Sequence, residues 1–229
     1  MGKNGTSERL YQMENSEILL NRAIEALSLI NIPKEYWTVG GGTVLKLYYN
    51  HRESEDIDIF ISDAQYLGGL SPKLNDFTNE ALDYNEMGNY IKLIYPEGKV
   101  DFIVSGNITN FTPCNRELYG HNVMVEDPVE IVCKKIYFRG HHAKARDIFD
   151  LATVYNSERR SDLVKAVILH KNEFYKFIEY FKKLRLQPLY SDEFSDMLRP
   201  GCSNIKGKEY HICEEFIAKV KKQIRKNER

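Results

Sequence analysis

Two carboxylates sit on one short run, Asp56-Ile57-Asp58-Ile59, and a glycine cluster, Gly40-Gly41-Gly42-Thr43, precedes it. On a β-strand alternate side chains share a face, which puts Asp56 and Asp58 on the same side, roughly 6–7 Å apart. Like charges on one face repel unless a cation sits beside them. Paired carboxylate oxygens suit Mg²⁺, which takes one or two carboxylates together with substrate phosphates. Asp101 opens a later apolar run, Phe102-Ile103-Val104. If that strand pairs beside the first, Asp101 completes a three-carboxylate site. Two Mg²⁺ ions held there could stabilise the attacking and leaving oxygens of a phosphoryl transfer.

The glycines fit the same chemistry. A strand that runs through glycine into a helix gathers free backbone N–H groups and the positive helix end at one point, which attracts phosphate. Gly41 and Gly42 let a phosphate approach the backbone, and the Thr43 hydroxyl adds a donor.

These residues need a scaffold. Tyr36 to Val39 reads as a short strand, Thr43 to Tyr49 as a helix, and Asp56 to Ile61 as a strand with Ile57, Ile59 and Ile61 facing a core. Ser7 to Ile30 has helical spacing of Leu10, Ile18, Leu19, Ala23, Ile24, Leu27 and Ile30, and Asn31-Ile32-Pro33 ends it. Leu74 to Tyr84 reads as another helix. Asn89 to Tyr95 and Lys99 to Val104 form a hairpin around Pro96-Glu97-Gly98, and His121 to Val125 is one more strand. After Pro128 helical patterns take over, at Val129–Phe138, Ala145–Tyr155, Asp162–Leu184 and Lys208–Lys226, with a loop at Arg199–Ser203. The expected division is therefore residues 1–123, mixed α and β, and 124–229, helical.

Composition bounds the rest. The 229 residues carry a net charge of −1, so bulk charge does not mark a nucleic-acid binder, although a local basic patch would suffice. The four cysteines, Cys114, Cys133, Cys202 and Cys213, form no CxxC pair and read as reduced thiols of a cytoplasmic protein. The polar N-terminus lacks the apolar run of a signal peptide, and no stretch has the roughly 18 apolar residues that span a bilayer.

The string Gly41-Gly42-Thr43, a helix, then Arg52-x-Ser54-x-Asp56-Ile57-Asp58-Ile59-Phe60 resembles the AbiEii-type toxin nucleotidyltransferases, a branch of the DNA polymerase beta-like nucleotidyltransferase superfamily. Glu130 to Leu151 is similar to a second block of that family, a helix with a lysine followed by Ala-Arg-Asp-h-h-Asp-Leu, where h is apolar. Lys135 matches the lysine, with Lys134 beside it as the alternative. Arg146, Asp147 and Asp150 match the later motif.

The resemblance implies an α+β fold, with a nucleotidyltransferase-type mixed sheet flanked by helices and a helical bundle behind it. It implies Mg²⁺-dependent transfer of NMP from an NTP to an acceptor, tRNA in some relatives, within an abortive-infection or toxin–antitoxin system with a cognate antitoxin. On this basis Asp56 and Asp58 hold metal, Asp101 holds the second ion and helps deprotonate the acceptor, and Gly41, Gly42 and Thr43 receive the β,γ-phosphates. Lys135 neutralises triphosphate charge, while Arg146, Asp147 and Asp150 orient that lysine or contact the nucleotide. The competing readings are a nucleotidyltransferase acting on a small molecule or protein, and a nucleotide- or partner-binding protein of the same fold without catalysis.

Overall fold

In the computed structural model, residues 14–185 and 197–228 are described. Seven strands form one mixed sheet: β1 (Trp37–Gly40), β2 (Ile57–Ile61), β3 (Asp83–Met87), β4 (Tyr90–Tyr95), β5 (Gly98–Val104), β6 (Cys114–Leu118) and β7 (His121–Val125). Their order is β3-β4-β5-β2-β1-β7-β6. The centre combines both pairing senses: β1 runs antiparallel to β2, while β2 pairs with β5, and β1 with β7, in parallel. One face of the sheet buries Ile57, Ile59, Ile61, Ile91, Leu93, Val100 and Phe102. Helix α1 (Asn15–Leu29) covers that face with Leu19, Leu20, Ala23, Ala26 and Leu27. Period-2 and period-3.6 apolar patterns thus meet in one core, as the spacing predicts. The expected part of α1 from Ser7 to Met13 lies outside the described residues.

Helix α2 (Gly41–Tyr49) follows β1 without a spacer and ends at Asn50 in the left-handed region. Beyond the sheet come α3 (Pro128–Arg139), α4 (Ala145–Tyr155), α5 (Arg160–Ile168), α6 (Lys171–Leu184) and α7 (Glu209–Asn227). Helix α3 starts where Asp127 accepts a hydrogen bond from the Val129 N–H and Pro128 occupies the first turn, a favourable opening. Helix α7 packs on α4 and α5.

Three expectations need correction. Leu74 to Tyr84 is not a helix: turns lead through a short 3₁₀ segment, Thr78–Glu80, into β3. The Asn75 side chain accepts from the N–H groups of Phe77 and Thr78 and donates to the carbonyls of Ala26 and Gly69, so it supplies local bonds that compete with a helix. Asp162 to Leu184 is two helices, because His170 leaves helical dihedrals (φ −119°, ψ 49°) and its ring bonds the Ile108 carbonyl at 2.6 Å. Strands β3 and β6 had no counterpart in the sequence reading. They are the two edges of the sheet and are exposed almost throughout, so they carry no alternating apolar signal.

Candidate active site

The register of the sheet builds the site. Asp58 on β2 lies directly opposite Asp101 on β5, with parallel strands putting both side chains on one face. Gly40 on β1 is the neighbour of Asp58 on the other side, and Lys92 on β4 is the neighbour of Asp101. One row across four strands therefore reads Lys92, Asp101, Asp58, Gly40. Asp56 lies one residue before β2. Its Oδ1 accepts the backbone N–H of Lys99 at 3.2 Å, which ties it to the start of β5.

Asp58 has no hydrogen-bonding or ionic partner among the described residues. Burial, and next the Asp101 charge, push its carboxyl up to about 6, against the pull of Lys135 and Arg139. The Oδ1 atom of Asp101 is buried and unpartnered, while its Oδ2 takes the Lys92 ammonium at 2.7 Å. Two facing carboxylates with unused oxygens fit a divalent cation, the hard oxygen donor set that Mg²⁺ prefers. Among the described residues no group of three or more acidic, histidine or cysteine side chains is gathered closely enough to hold a metal. Asp58 and Asp101 are the pair in direct register, and Asp56 lies one residue before the strand.

The glycine turn abuts this pair. Gly41 has φ +74°, and a Cβ there would overlap Asp58 Oδ2, so only glycine lets the helix start beneath the carboxylate. Gly41→Ala should therefore lose nucleotide binding and transfer and cost at least about 1–2 kcal/mol of stability. Thermal melts and a transfer assay on the same preparation check both. Gly42 is small for another reason: a Cβ would come within 2.6 Å of Arg52 Nη2 and Ser54 Oγ. Thr43 is buried, and its hydroxyl donates to the Asp56 carbonyl at 2.6 Å and lies 3.3 Å from the Ser54 hydroxyl. That hydroxyl staples the helix start to the segment leading into β2.

The second motif forms an ionic hub. Asp150 on α4 is fully buried and accepts from Arg52 Nε and Nη2 (2.7 and 2.8 Å), from His51 (2.8 Å) and from Lys135 (3.0 Å). Burial alone would raise its carboxyl; Arg52 and Lys135 hold it well below the usual range. Lys135 on α3 also reaches Asp147 at 2.9 Å, and Arg139 reaches the same carboxylate at 3.0 Å. Asp147 accepts the Lys144 N–H as well, capping the start of α4. Arg146 is half-buried, with no side-chain hydrogen bond or ion pair among the described residues.

The two adjacent lysines separate cleanly. Lys135 belongs to the hub and acts on Asp58, while Lys134 is buried between Glu126 and Glu130 with its ammonium 4.0 Å from the Phe60 ring centre. Glu126 also accepts from Thr38, and burial first of all lifts its carboxyl to about 7, with Lys134 opposing. A carboxyl raised in the folded state stabilises below the unfolded pKa and loses that contribution as pH climbs to the folded value. The unfolding free energy of the wild type relative to Glu126→Gln should thus fall between about pH 4.5 and 7, by on the order of 3 kcal/mol. Urea titrations across that range check the slope.

The family model described as nucleotidyl transferase AbiEii toxin, type IV TA system, matches residues 25–204. The chain belongs to this family. As an AbiEii-family protein it is a nucleotidyltransferase of a type IV toxin–antitoxin system, which implies a cognate antitoxin. No curated protein matches it. Among solved structures it is similar to JHP933 from Helicobacter pylori, with 18% identity, a TM-score of 0.44, and coverage of 93% of this chain and 95% of that one. A nucleotidyltransferase-like antigen from Paracoccidioides brasiliensis shows 15% identity, a TM-score of 0.38, and coverage of 81% and 94%. No helix of this AbiEii-family chain, among the described residues, is long and apolar enough to cross a membrane.

Lys92, His51 and Glu126 are the site-lining or supporting residues that the motifs did not point to. For Lys92 a signal existed. A hairpin that pairs Tyr95 with Gly98 across Pro96-Glu97 also pairs Lys92 with Asp101.

Proposed function

We propose that this AbiEii-family chain transfers an NMP group from an NTP to a hydroxyl of tRNA in a Mg²⁺-dependent reaction, and so acts as the toxin of its pair in the cytoplasm. The observation that carries this is the facing carboxylates of Asp58 and Asp101, with Asp101 Oδ1 buried and unpartnered, beside the Gly41 helix start. Asp58 and Asp101, with Asp56 at the margin, would hold Mg²⁺, which supplies positive charge where the triphosphate's negative charge grows. Gly41 and Gly42 open α2 toward the β,γ-phosphates, where backbone N–H groups favour anions. Thr43 keeps that opening in place through Asp56. Lys135 and Arg139, on one side of α3, face the phosphate charge, and Asp147 and Asp150 fix the lysine. Arg146, free of such a partner among the described residues, is available to the nucleotide. A new O–P bond forms between the acceptor oxygen and the α-phosphorus as the bond to pyrophosphate breaks. The hydroxyl proton leaves to water. In this reading residues 1–123 carry the transfer chemistry and 124–229 supply the bracing helices and the cations.

The test is direct. Each of four α-labelled NTPs is incubated with the protein and Mg²⁺, with and without total tRNA. Label on tRNA is expected. Label on a protein or a small molecule would replace the acceptor, and the absence of both transfer and NTP binding would end the enzymatic proposal.

A further inference from the structure

The row of side chains on the site face contains one cation, Lys92, and its place is specific. Lys92 and Asp101 are direct partners on antiparallel β4 and β5, and Asp101 and Asp58 are direct partners on parallel β5 and β2. The alternation of β4 sends Ile91, Leu93 and Tyr95 into the core and leaves Lys92 on the face of the carboxylates. Its ammonium reaches Asp101 Oδ2 at 2.7 Å, with the lysine side chain 38% and the aspartate 21% exposed. The other oxygen of Asp101 is buried and has no partner, and Asp58 next to it makes no hydrogen bond or ion pair with a described residue. The two oxygens of Asp101 are thus already divided: one holds a fixed charge, the other is open.

This division bears on how many ions the site takes. A two-ion centre has its metals about 4 Å apart and needs carboxylate oxygens enough to serve both. Here Asp56 Oδ1 accepts the Lys99 N–H and Asp101 Oδ2 takes the Lys92 ammonium, so each of these two carboxylates has one oxygen to offer. A second divalent ion on Asp101 would have to displace the lysine or lie against its like charge. We propose that Lys92 is a resident cation of the site, so that Asp58 and Asp101 Oδ1 hold a single divalent ion and the ammonium supplies the second positive charge. The inference rests on the proposed metal-dependent function and changes its stoichiometry. Lys92 is a positioning residue here, because it acts through Asp101.

The ion count reads this without reference to turnover. Mn²⁺ with inorganic tripolyphosphate is the probe, and electron paramagnetic resonance distinguishes a lone ion from a spin-coupled pair. The wild type should show lone Mn²⁺, lost in Asp58→Asn. Lys92→Met, which keeps the length of the side chain without its charge, should show the coupled pair, and Lys92→Arg should return to the lone ion. Thermal melts establish that each variant is folded, and Lys92→Gln replaces the methionine variant if that one is not. A coupled pair in the wild type, or a lone ion in the neutral variant, overturns the role of Lys92 and leaves the transferase proposal standing. Mn²⁺ binding in no variant, or binding unaffected by Asp58→Asn, removes the metal site itself.

Discussion

Asp58→Asn should reduce NMP transfer by about a thousandfold or more and abolish growth inhibition, while the protein stays folded. Asp58 is the carboxylate that meets all the other parts of the site: Asp101 across the strand pair, Gly41 beneath it, and the charges of Lys135 and Arg139. In the proposed reaction, losing an ion-holding oxygen removes several kcal/mol of charge stabilisation, and each 1.4 kcal/mol or so is a factor of ten in rate. The fold should not suffer, because Asp58 makes no hydrogen bond or ion pair with a described residue and its raised carboxyl pKa marks a charge the folded chain holds at a cost. The amide keeps the shape and removes that cost. Transfer rate, melting temperature and colony formation, measured on the same variant, check the three parts. A soluble Asp58→Asn protein that retains toxicity would refute the role.

Asp150→Ala should act in the opposite way, on the fold first. The carboxylate balances Arg52 and Lys135 and accepts from His51, and Asp150, Arg52 and His51 are all buried. Removing one partner from a buried ionic network leaves uncompensated charge and typically costs about 3–5 kcal/mol. For a chain of this size that is a fall in melting temperature of about 10 °C. Chemical unfolding, with the slope compared to wild type, measures it. Salt should change the loss little, since buried pairs are poorly screened. A variant of unaltered stability that fails only in nucleotide binding would make Asp150 a ligand contact instead of a brace.

The parts legible from residue order are those set by short-range rules. Glycine before a helix, acid alternating with isoleucine and a proline-glycine turn each state their local structure, and the strand pair carrying Asp58 and Asp101 follows from them. Edge strands β3 and β6 escaped because exposure on both faces erases alternation. The bend at His170 escaped because its cause, the Ile108 carbonyl, is 62 residues away. Within the site, residue types pointed to Arg52 and Asp150 separately, yet their mutual bond spans 98 residues and has no local trace. Gly42 looks like a phosphate contact in sequence, whereas its smallness is explained by Arg52 and Ser54 packing against it.

The approach to β2 is stitched to distant chain. Arg52 bridges to Leu198, the Glu53 N–H donates to Met197, Arg199 pairs with Glu53, and the Gly201 N–H donates to Asn50. On the ribosome these partners do not yet exist when residues 50–58 emerge. The sheet's middle can gather early, but the nascent polypeptide cannot fasten its reactive corner until residues 197–201 have been made. The toxin of a type IV pair would thereby stay unarmed while the segment between these two regions is being made.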